Sequence, residues 1–232
     1  MKLSMVIAVY NEEENIEELT NRIYDSVKVP FELIYVIDGD DNSINIAKNI
    51  CRIKDNMCIS YSRALRGFAN SFIKGFSMVS EDVTHILTLD ADLNHQPEEI
   101  NNLISEMNKK DCDIVIGSRY LKEGKVEKLA LSKRAISILA NFIIKIIWNL
   151  KVKDKTSGYR LYKREVIDKI VPMCKSTNFE FLLEILILAS KNGYVLSEVP
   201  IVFKARTRGE SKFELFKVIK GYIKLMWRDL IK

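Results

Sequence analysis

The chain has 232 residues, of which 47% are hydrophobic, so it can bury one large core without dividing into several domains. Its formal charge of +5 is modest, which makes the positions of the basic residues more informative than their sum. The four cysteines show no CxxC spacing, and no signal-peptide pattern precedes the first strand pattern, so we expect reduced thiols in a cytoplasmic protein.

The first half of the chain alternates between strand and helix patterns. Strands are predicted at residues 2–9, 31–37, 57–61, 85–89 and 113–117, and helices at 14–27, 44–53, 67–79 and 97–109. This order is typical of an α/β fold with a mostly parallel sheet and helices on both faces. Such sheets bind ligands outside the carboxyl ends of their strands. Tyr10, Asp38, Asp90 and Arg119 follow strand patterns, so we expect them along one crevice.

Two aspartates end the fourth strand pattern. Asp90 and Asp92 are alternate residues of an extended segment, so their side chains point the same way, with Asn94 behind them. Such oxygen ligands suit one hard divalent cation, Mg²⁺ or Mn²⁺, which would neutralise a phosphate group. An Asp-x-Asp turn on the surface without a metal is the alternative, and the neighbouring residues must distinguish the two.

Five ordered segments carry a resemblance to a known family. The segment DADLNHQPEE resembles the metal-binding signature of family 2 inverting glycosyltransferases, most of all the polyprenyl- and dolichyl-phosphate mannose or glucose synthases. The segments YNE, IVIGSRY, KDKTSGYR and RTRGESK match in order and at plausible spacing. The resemblance implies a nucleotide-sugar-binding fold of the glycosyltransferase A type, which is Rossmann-like. We expect the catalytic domain at residues 1–212 and an amphipathic helix of the same unit at 213–232.

The resemblance also implies a reaction. It is the metal-dependent, inverting transfer of a hexose, with mannose and GDP-mannose favoured, to a polyprenyl or dolichyl phosphate at the cytoplasmic membrane face. A UDP-sugar donor such as UDP-glucose, a polysaccharide or glycan acceptor, and a non-catalytic membrane-associated module are the alternatives. A phosphate acceptor arrives ionised, so the reaction requires no strong base. The main task is to bring two anions together, with a cation on the leaving diphosphate and arginines on the attacking phosphate.

By resemblance, the site residues fall into overlapping sets. The metal ligands are Asp90, Asp92 and Asn94. The donor-binding residues are Tyr10, Glu12, Asp38, Asp41, Asp92, Arg206 and Lys212. The acceptor-phosphate residues are Arg119, Arg134 and Ser137. The catalytic residues are Asp90, Asp92, Arg119 and Arg134. For the loop with Asp38 and Asp41, the alternative is an acidic turn in which Gly39 supplies a positive φ.

Two further residues have predicted structural roles. Glu184 lies in an apolar helical run, where burial without a partner is costly, so we expect an arginine beside it unless its helix face is open to water. His95 shares no motif with a serine, a cysteine or a second histidine, so a structural role is favoured over a catalytic one.

The last twenty residues predict an amphipathic helix. Its apolar stripe is Phe216, Ile219, Ile223, Met226, Trp227 and Leu230, and its basic stripe is Lys217, Lys220, Lys224 and Arg228. This pattern favours a helix lying in an anionic membrane surface, and a helix packed on the domain or on a membrane-anchoring partner subunit is the alternative. Residues 136–148 are a second apolar segment, and neither segment is long enough to span a bilayer. The basic residues lack interleaved aromatic side chains, so we expect no nucleic-acid partner.

Overall fold

The computed structural model describes residues 1–129, 131–206, 208 and 215–230. The strands in these ranges are β1 (Leu3–Tyr10), β2 (Phe31–Asp38), β3 (Met57–Ser62), β4 (His85–Thr88), β5 (Ile114–Ser118), β6 (Lys125–Glu127), β7 (Arg160–Lys163), β8 (Leu196–Pro200) and β9 (Val202–Lys204). The α-helices are α1 (Ile16–Ser26), α2 (Ser43–Cys51), α3 (Phe68–Phe76), α4 (Ile100–Lys109), α5 (Leu131–Trp148), α6 (Arg164–Ile170), α7 (Glu180–Lys191) and α8 (Leu215–Leu230).

A seven-stranded sheet in the order β3-β2-β1-β4-β7-β5-β8 organises the chain, and β6 pairs with β9 beside it. All neighbours in the large sheet are parallel except β7, which runs antiparallel to both β4 and β5. The amino end of β7 therefore lies at the same edge as the carboxyl ends of the parallel strands. This edge collects the side chains that the sequence predicted in one crevice.

The two faces of the sheet carry separate hydrophobic layers. In β1, Leu3, Met5 and Ile7 pack with α1, α2 and α4, whereas Val6 packs on the opposite face with α3, α6 and α7. Alternate residues of a strand point to opposite faces, and all four of these side chains are fully buried. The prediction of a mostly parallel sheet with helices on both faces is confirmed.

The predicted elements of the first half are present with boundaries that agree within three residues. Residues Pro97–Glu99 form a 3-10 turn before α4 begins, so the predicted helix at 97–109 starts with a tighter turn than expected. All four cysteines are free thiols, as expected. No helix in the described ranges is long and apolar enough to cross a bilayer.

The C-terminal helix α8 packs on the domain, and this corrects one predicted position. Val218 and Leu225 are buried, and Arg228 forms an ion pair with Glu184 of α7. Arg228, which the sequence placed in the basic stripe of a membrane-surface helix, instead faces α7, three residues after buried Leu225, as the packed-helix alternative requires. The expected arginine partner of Glu184 is thereby confirmed. The proposed boundary between 212 and 213 lies outside the described residues.

The outer face of α8 exposes part of the predicted stripes, and the side chains of Phe216, Lys217 and Leu230 lie outside the described ones. Ile219, Ile223 and Trp227 are exposed, as are Lys220 and Lys224. At its carboxyl end α8 meets α5, where the Trp148 indole donates a hydrogen bond to Asp229 over 2.6 Å. Helix α5 also carries exposed apolar side chains, namely Ile136, Ile138, Leu139, Phe142, Ile143 and Ile146. Both helices thus expose apolar side chains, α8 with lysines beside them, and we call these exposed surfaces the α5/α8 face.

Candidate active site

The crevice at the sheet edge is built from strand ends. Tyr10 ends β1, Asp38 ends β2, Asp90 comes two residues after β4, and Arg119 follows β5 directly. The antiparallel β7 contributes the loop before its first residue, Arg160. Acidic and basic groups thus reach one edge from different strands.

A tight turn holds Asn94 against Asp92. Leu93 between them has a φ of 60°, a left-handed conformation that a leucine adopts only at a cost. The Asn94 backbone N–H donates to Asp92 Oδ1 at 3.1 Å, and its side-chain amide donates to Asp92 Oδ2 at 2.7 Å. Asn94 Oδ1 is buried and accepts no hydrogen bond from any described residue. The turn therefore presents an uncompensated oxygen beside a carboxylate.

The negative charges of Asp90 and Asp92 repel each other. Burial raises the pKa of both carboxyls, the charge of Asp90 raises the pKa of Asp92 further, and Arg206 acts against the rise in both. Two carboxylates and the orphaned amide oxygen of Asn94 are the kind of donors that a hard divalent cation takes. The residues present therefore fit the predicted metal site, and a bound cation would relieve their repulsion.

His95 supports this turn and is not ionised. Its Nδ1 accepts the Asp90 backbone N–H at 3.2 Å, and its ring stacks on Tyr159 with centroids 4.9 Å apart. Burial lowers the pKa of His95 to about 4. The Tyr159 hydroxyl donates to the Gln96 carbonyl at 2.9 Å, which gives this buried tyrosine a partner. The predicted structural role of His95 agrees with these contacts.

Arg206 lies over the acids. Its Nη2 donates to Asp92 Oδ2 at 2.6 Å, and its Nη1 is 3.5 Å from Glu12 Oε1. Arg206 thus contacts both Asp92, a predicted metal ligand, and Glu12, a predicted donor-binding residue. Lys212, the other predicted donor-binding cation of this segment, lies outside the described residues.

The first strand end forms an acidic cleft. Asn11 has a φ of 52°, and its Oδ1 accepts the Asp40 N–H at 3.2 Å. Gly39 has a φ of 110°, and a Cβ there would lie 1.9 Å from Asn11 Oδ1, so this close approach requires glycine. The resulting cleft has a volume of about 240 Å³ and is lined by Asn11, Glu12, Glu13, Glu14, Asn15 and Asp41. Tyr10 is partly exposed at the end of β1.

Two of the predicted donor-binding acids also have local structural contacts. Asp41 accepts the Ser43 backbone N–H at 3.0 Å and also accepts the Glu13 N–H, which ties the second strand end to the first. Asp38 is buried, accepts the Arg66 N–H at 2.8 Å and lies 3.1 Å from the Arg66 guanidinium. The acidic-turn interpretation of this loop therefore accounts for many of its contacts, and Arg66 is a partner that the sequence patterns did not identify.

Arg119 is held by a fully buried carboxylate. Asp154 accepts from Arg119 Nε and Nη2, both at 2.7 Å, and from the Arg119 backbone N–H at 3.1 Å. Burial disfavours both charges, but their mutual attraction outweighs it, so the pKa of Arg119 is raised and the pKa of Asp154 is lowered. Nη1 of Arg119 makes no hydrogen bond within the described ranges. One edge of the guanidinium is thus fixed, and the other can meet an anion.

The structure brings Ser137 close to Arg119. The Tyr120 hydroxyl donates to Ser137 Oγ at 2.7 Å, so the residue next to Arg119 contacts α5 directly. Arg134 is exposed and lies three residues before Ser137, on the same side of α5. Of the predicted acceptor-phosphate residues, Ser137 is therefore linked to the loop after β5, and Arg134 shares its side of α5 without a described contact to Arg119.

Comparison with known proteins gives the family. Residues 4–171 match the family described as Glycosyl transferase family 2. A dolichol-phosphate mannosyltransferase of Pyrococcus furiosus is 35% identical over 98% of this chain, and a polyprenol monophosphomannose synthase of Mycolicibacterium smegmatis is 27% identical over 90%. The chain spans 63% of the first relative and 79% of the second.

Solved structures share the fold at low sequence identity. The glucosyl-3-phosphoglycerate synthase of Mycobacterium tuberculosis, solved with Mn²⁺, UDP and phosphoglyceric acid, has a TM-score of 0.76 and 16% identity, covering 98% of this chain and 78% of that one. The same enzyme with Mg²⁺ and UDP has a TM-score of 0.69 and 15% identity, covering 90% and 72%. The chain thus has the glycosyltransferase A-type architecture and belongs to glycosyl transferase family 2.

Proposed function

We propose that this protein is a metal-dependent, inverting glycosyltransferase that moves mannose from GDP-mannose to a polyprenyl or dolichyl phosphate. One observation carries the proposal. The sheet edge holds Asp90 and Asp92 with Asn94, which we call the acidic set, and a second set consists of Arg119 after β5 with Arg134 and Ser137 on α5, which we call the basic set. The acidic set suits a cation that binds a diphosphate, and the basic set suits a second phosphate. A reaction between two phosphate-bearing substrates needs both.

The acidic set would hold Mg²⁺ or Mn²⁺ through Asp90, Asp92 and the unpartnered Oδ1 of Asn94. Once bound, the cation supplies charge that offsets the departing diphosphate. The structural neighbours solved with Mn²⁺ or Mg²⁺ and UDP support divalent metal use in this fold. Arg206 forms ion pairs with Asp92 and Glu12, so it is close enough to the metal site to bind the donor diphosphate as well.

The basic set would orient the attacking phosphate. Asp154 fixes the Arg119 guanidinium on one edge, so the other edge is preorganised and loses little entropy when an anion binds. A phosphate monoester is already ionised at neutral pH, so one of its oxygens can attack the anomeric carbon without first losing a proton to the protein. The buried acids Asp38 and Asp154 are each paired with an arginine, which suits a reaction that needs no carboxylate base. A single displacement gives inversion.

Two observations bear on the choice of donor. The relatives named dolichol-phosphate mannosyltransferase and polyprenol monophosphomannose synthase support mannose, and with it GDP-mannose. The structural neighbours bind UDP or UDP-glucose, which favours a UDP-sugar as the second candidate. The acidic cleft between Asn11 and Asp41 has the polar lining that a nucleoside requires.

The α5/α8 face would meet the membrane in which a long-chain acceptor is embedded. Exposed apolar residues such as Leu139, Phe142 and Trp227 can enter the interface, while Lys220 and Lys224 face anionic headgroups. Each basic residue near such a surface contributes about 1 kcal/mol. Ser137 and Arg134 are on α5 itself, so this orientation would carry the acceptor phosphate toward Arg119. We assign the contact to the cytoplasmic face, where nucleotide sugars and anionic lipids would both be accessible.

The test is a product assay. The protein is incubated with Mg²⁺, a short polyprenyl phosphate and, in separate reactions, radiolabelled GDP-mannose, UDP-glucose and other nucleotide sugars, and the lipid is extracted. Labelled lipid from GDP-mannose is the expected result. Labelled lipid only from a UDP-sugar supports the second candidate. Sugar transferred to a glycan but never to lipid phosphate would contradict the acceptor assignment.

A further inference from the structure

Asn141 is a polar residue buried in the otherwise apolar middle of α5. Only 6% of it is exposed, while the adjacent Phe142 on the outer side is 59% exposed. A buried amide needs hydrogen-bond partners, and two of its partners lie in the loop before β7. Its Nδ2 donates to Thr156 Oγ1 at 3.2 Å, and its Oδ1 accepts the Lys155 N–H at 2.7 Å.

The orientation of the Asn141 amide is fixed by its neighbours. Besides Thr156, Nδ2 donates to the Ser137 carbonyl at 2.9 Å, and a carbonyl can only accept. On the other side, the Lys155 backbone N–H can only donate, so it requires the amide oxygen. Reversing the amide would lose both bonds. Asn141 therefore acts as a directional link between α5 and the loop.

Thr156 connects Asn141 to Arg119 through hydrogen bonds. Its hydroxyl oxygen accepts from Asn141 and from Arg119 Nη2, the latter at 2.7 Å, and it donates to Asp154 Oδ1 at 3.3 Å. A threonine hydroxyl has one hydrogen and two lone pairs, so these three bonds use its full capacity. The Arg119 guanidinium is thus held by Asp154 and by a hydroxyl whose orientation depends on Asn141.

We propose that Asn141 is a positioning residue that sets Arg119 relative to α5, so that the arginine meets the acceptor phosphate delivered along that helix. This inference rests on the proposed acceptor site and deepens it. Asn141 touches neither substrate in this scheme and acts through Thr156. Its effect belongs to acceptor use, because the contacts described for Asn141 do not include the donor-side residues Asp92, Glu12 and Arg206.

The experiment is a double-mutant cycle between Asn141→Leu and Arg119→Lys. Leucine keeps the number and branching of the side-chain heavy atoms of asparagine, and lysine keeps a positive charge beside buried Asp154. Loss of the amide hydrogen bonds should raise KM for a short-chain polyprenyl phosphate about tenfold, the scale of one to two net hydrogen bonds. The Kd of the nucleotide, measured by calorimetry, should stay within about twofold, because the described contacts of Asn141 do not include the donor-side residues.

The cycle separates positioning from general packing. If Asn141 acts through Arg119, then Asn141→Leu adds little to Arg119→Lys, whereas additive losses of acceptor affinity overturn the inference. Ile144→Val, which trims a buried apolar residue of the same helix, is the packing control and should leave acceptor KM unchanged. An unchanged acceptor KM in Arg119→Lys would instead contradict the proposed acceptor site.

A second pair of variants covers the case in which Asn141→Leu does not fold. Thr156→Val removes the shared hydroxyl and should reproduce the rise in acceptor KM. Thr156→Ser keeps the hydroxyl and should restore the wild-type value. Wild-type acceptor KM in Thr156→Val would overturn the inference, because Arg119 would then be positioned without the link.

Discussion

The guanidinium of Arg206 lies 2.6 Å from Asp92 Oδ2, so an arginine neutralises one of the carboxylates assigned to the metal. Asp92 carries a pKa raised by burial and by Asp90, and Arg206 partly offsets this cost. A divalent cation on Asp92 would take over that role. Cation and Arg206 are therefore expected to compete for Asp92 until a donor diphosphate offers the arginine another anion.

Substituting Arg206→Gln is expected to have opposite effects on two affinities. Without nucleotide, Mn²⁺ should bind about fivefold more tightly, which is the scale of one partly exposed ion pair. With Mn²⁺ present, the nucleotide should bind more weakly. Titration of the free Mn²⁺ signal by electron paramagnetic resonance measures the first effect, and calorimetry measures the second. Arg208→Gln, which loses an exposed pair with Glu18 and a long hydrogen bond to the Glu14 carbonyl, is the matched control. Weaker Mn²⁺ binding in Arg206→Gln would contradict the competition.

Asp92→Asn is expected to nearly abolish donor turnover, since it removes one of two anionic ligands from a cation held by few protein groups. The side chain keeps its shape, so the melting temperature should change little. Activity is measured with Mg²⁺ and Mn²⁺ and after dialysis against chelator. Asp168→Asn, at an exposed pair with Arg164, serves as the control. Full wild-type activity in excess chelator would exclude the metal assignment.

Arg134→Ala is expected to raise KM for polyprenyl phosphate by about tenfold or more, because a charge-assisted contact to phosphate is lost. Arg134 is exposed, so protein stability should be unaffected. Nucleotide-sugar binding and its slow hydrolysis, measured in the absence of acceptor, should stay at wild-type levels. An equal loss of donor affinity would move Arg134 to the donor site.

Reversing the charge of Lys220 and Lys224 to glutamate is expected to weaken binding to anionic vesicles at low salt, since attraction to the surface becomes repulsion. Vesicle flotation measures binding, and a water-soluble short-chain acceptor should still be glycosylated. Leu139→Ser with Phe142→Ser should weaken binding at both low and high salt, because apolar contact is lost. Unchanged vesicle binding in both double variants would contradict membrane contact through the α5/α8 face.

Arg228→Ala is expected to destabilise the protein rather than to reduce membrane binding directly. Glu184 is almost fully buried and would lose its cationic partner, although the Lys175 and Ser176 N–H groups would still donate to it. The pair is partly open to solvent on the arginine side, so we expect a loss of about 2 kcal/mol, less than for a fully buried pair. Urea unfolding measures it, and Lys224→Ala is the exposed control. Unchanged stability would contradict the structural role of the pair.

The strands at the sheet edge were predictable because apolar runs ending in polar residues have a local physical cause. Antiparallel β7 was not predicted, since Arg160–Lys163 is short and two of its four residues are charged. The orientation of Arg228 could not be decided for a similar reason. A helical period identifies residues that share a stripe, but it does not say where the buried face ends, and only packing against α7 reveals this.

The partners of single polar residues could not be read from the chain either. Asn141 was visible as an interruption of an apolar segment, but its partner Thr156 is fifteen residues away and lies beyond a change of chain direction. Asp154 lay in a segment that carried the family resemblance, yet its pairing with Arg119 spans 35 residues and depends on the β5–β7 register. Local patterns indicate which residues are unusual, and the fold determines which of them meet.

The reversed direction of β7 has a consequence for how this fold can change. The chain leaves the sheet after Ser118 and re-enters it at Arg160, and the two strands are direct neighbours, with the Gly117 N–H donating to the Tyr159 carbonyl at 2.8 Å. The segment between Ser118 and Arg160, which includes α5, is therefore an excursion of the chain inserted between two neighbouring strands at one edge of the sheet. Helix α5 could therefore vary in length and surface while the sheet order and the acidic turn stay constant. Strand β6 of the same excursion could not be replaced as freely, because it pairs with β9, the strand that leads to Arg206 on the donor side.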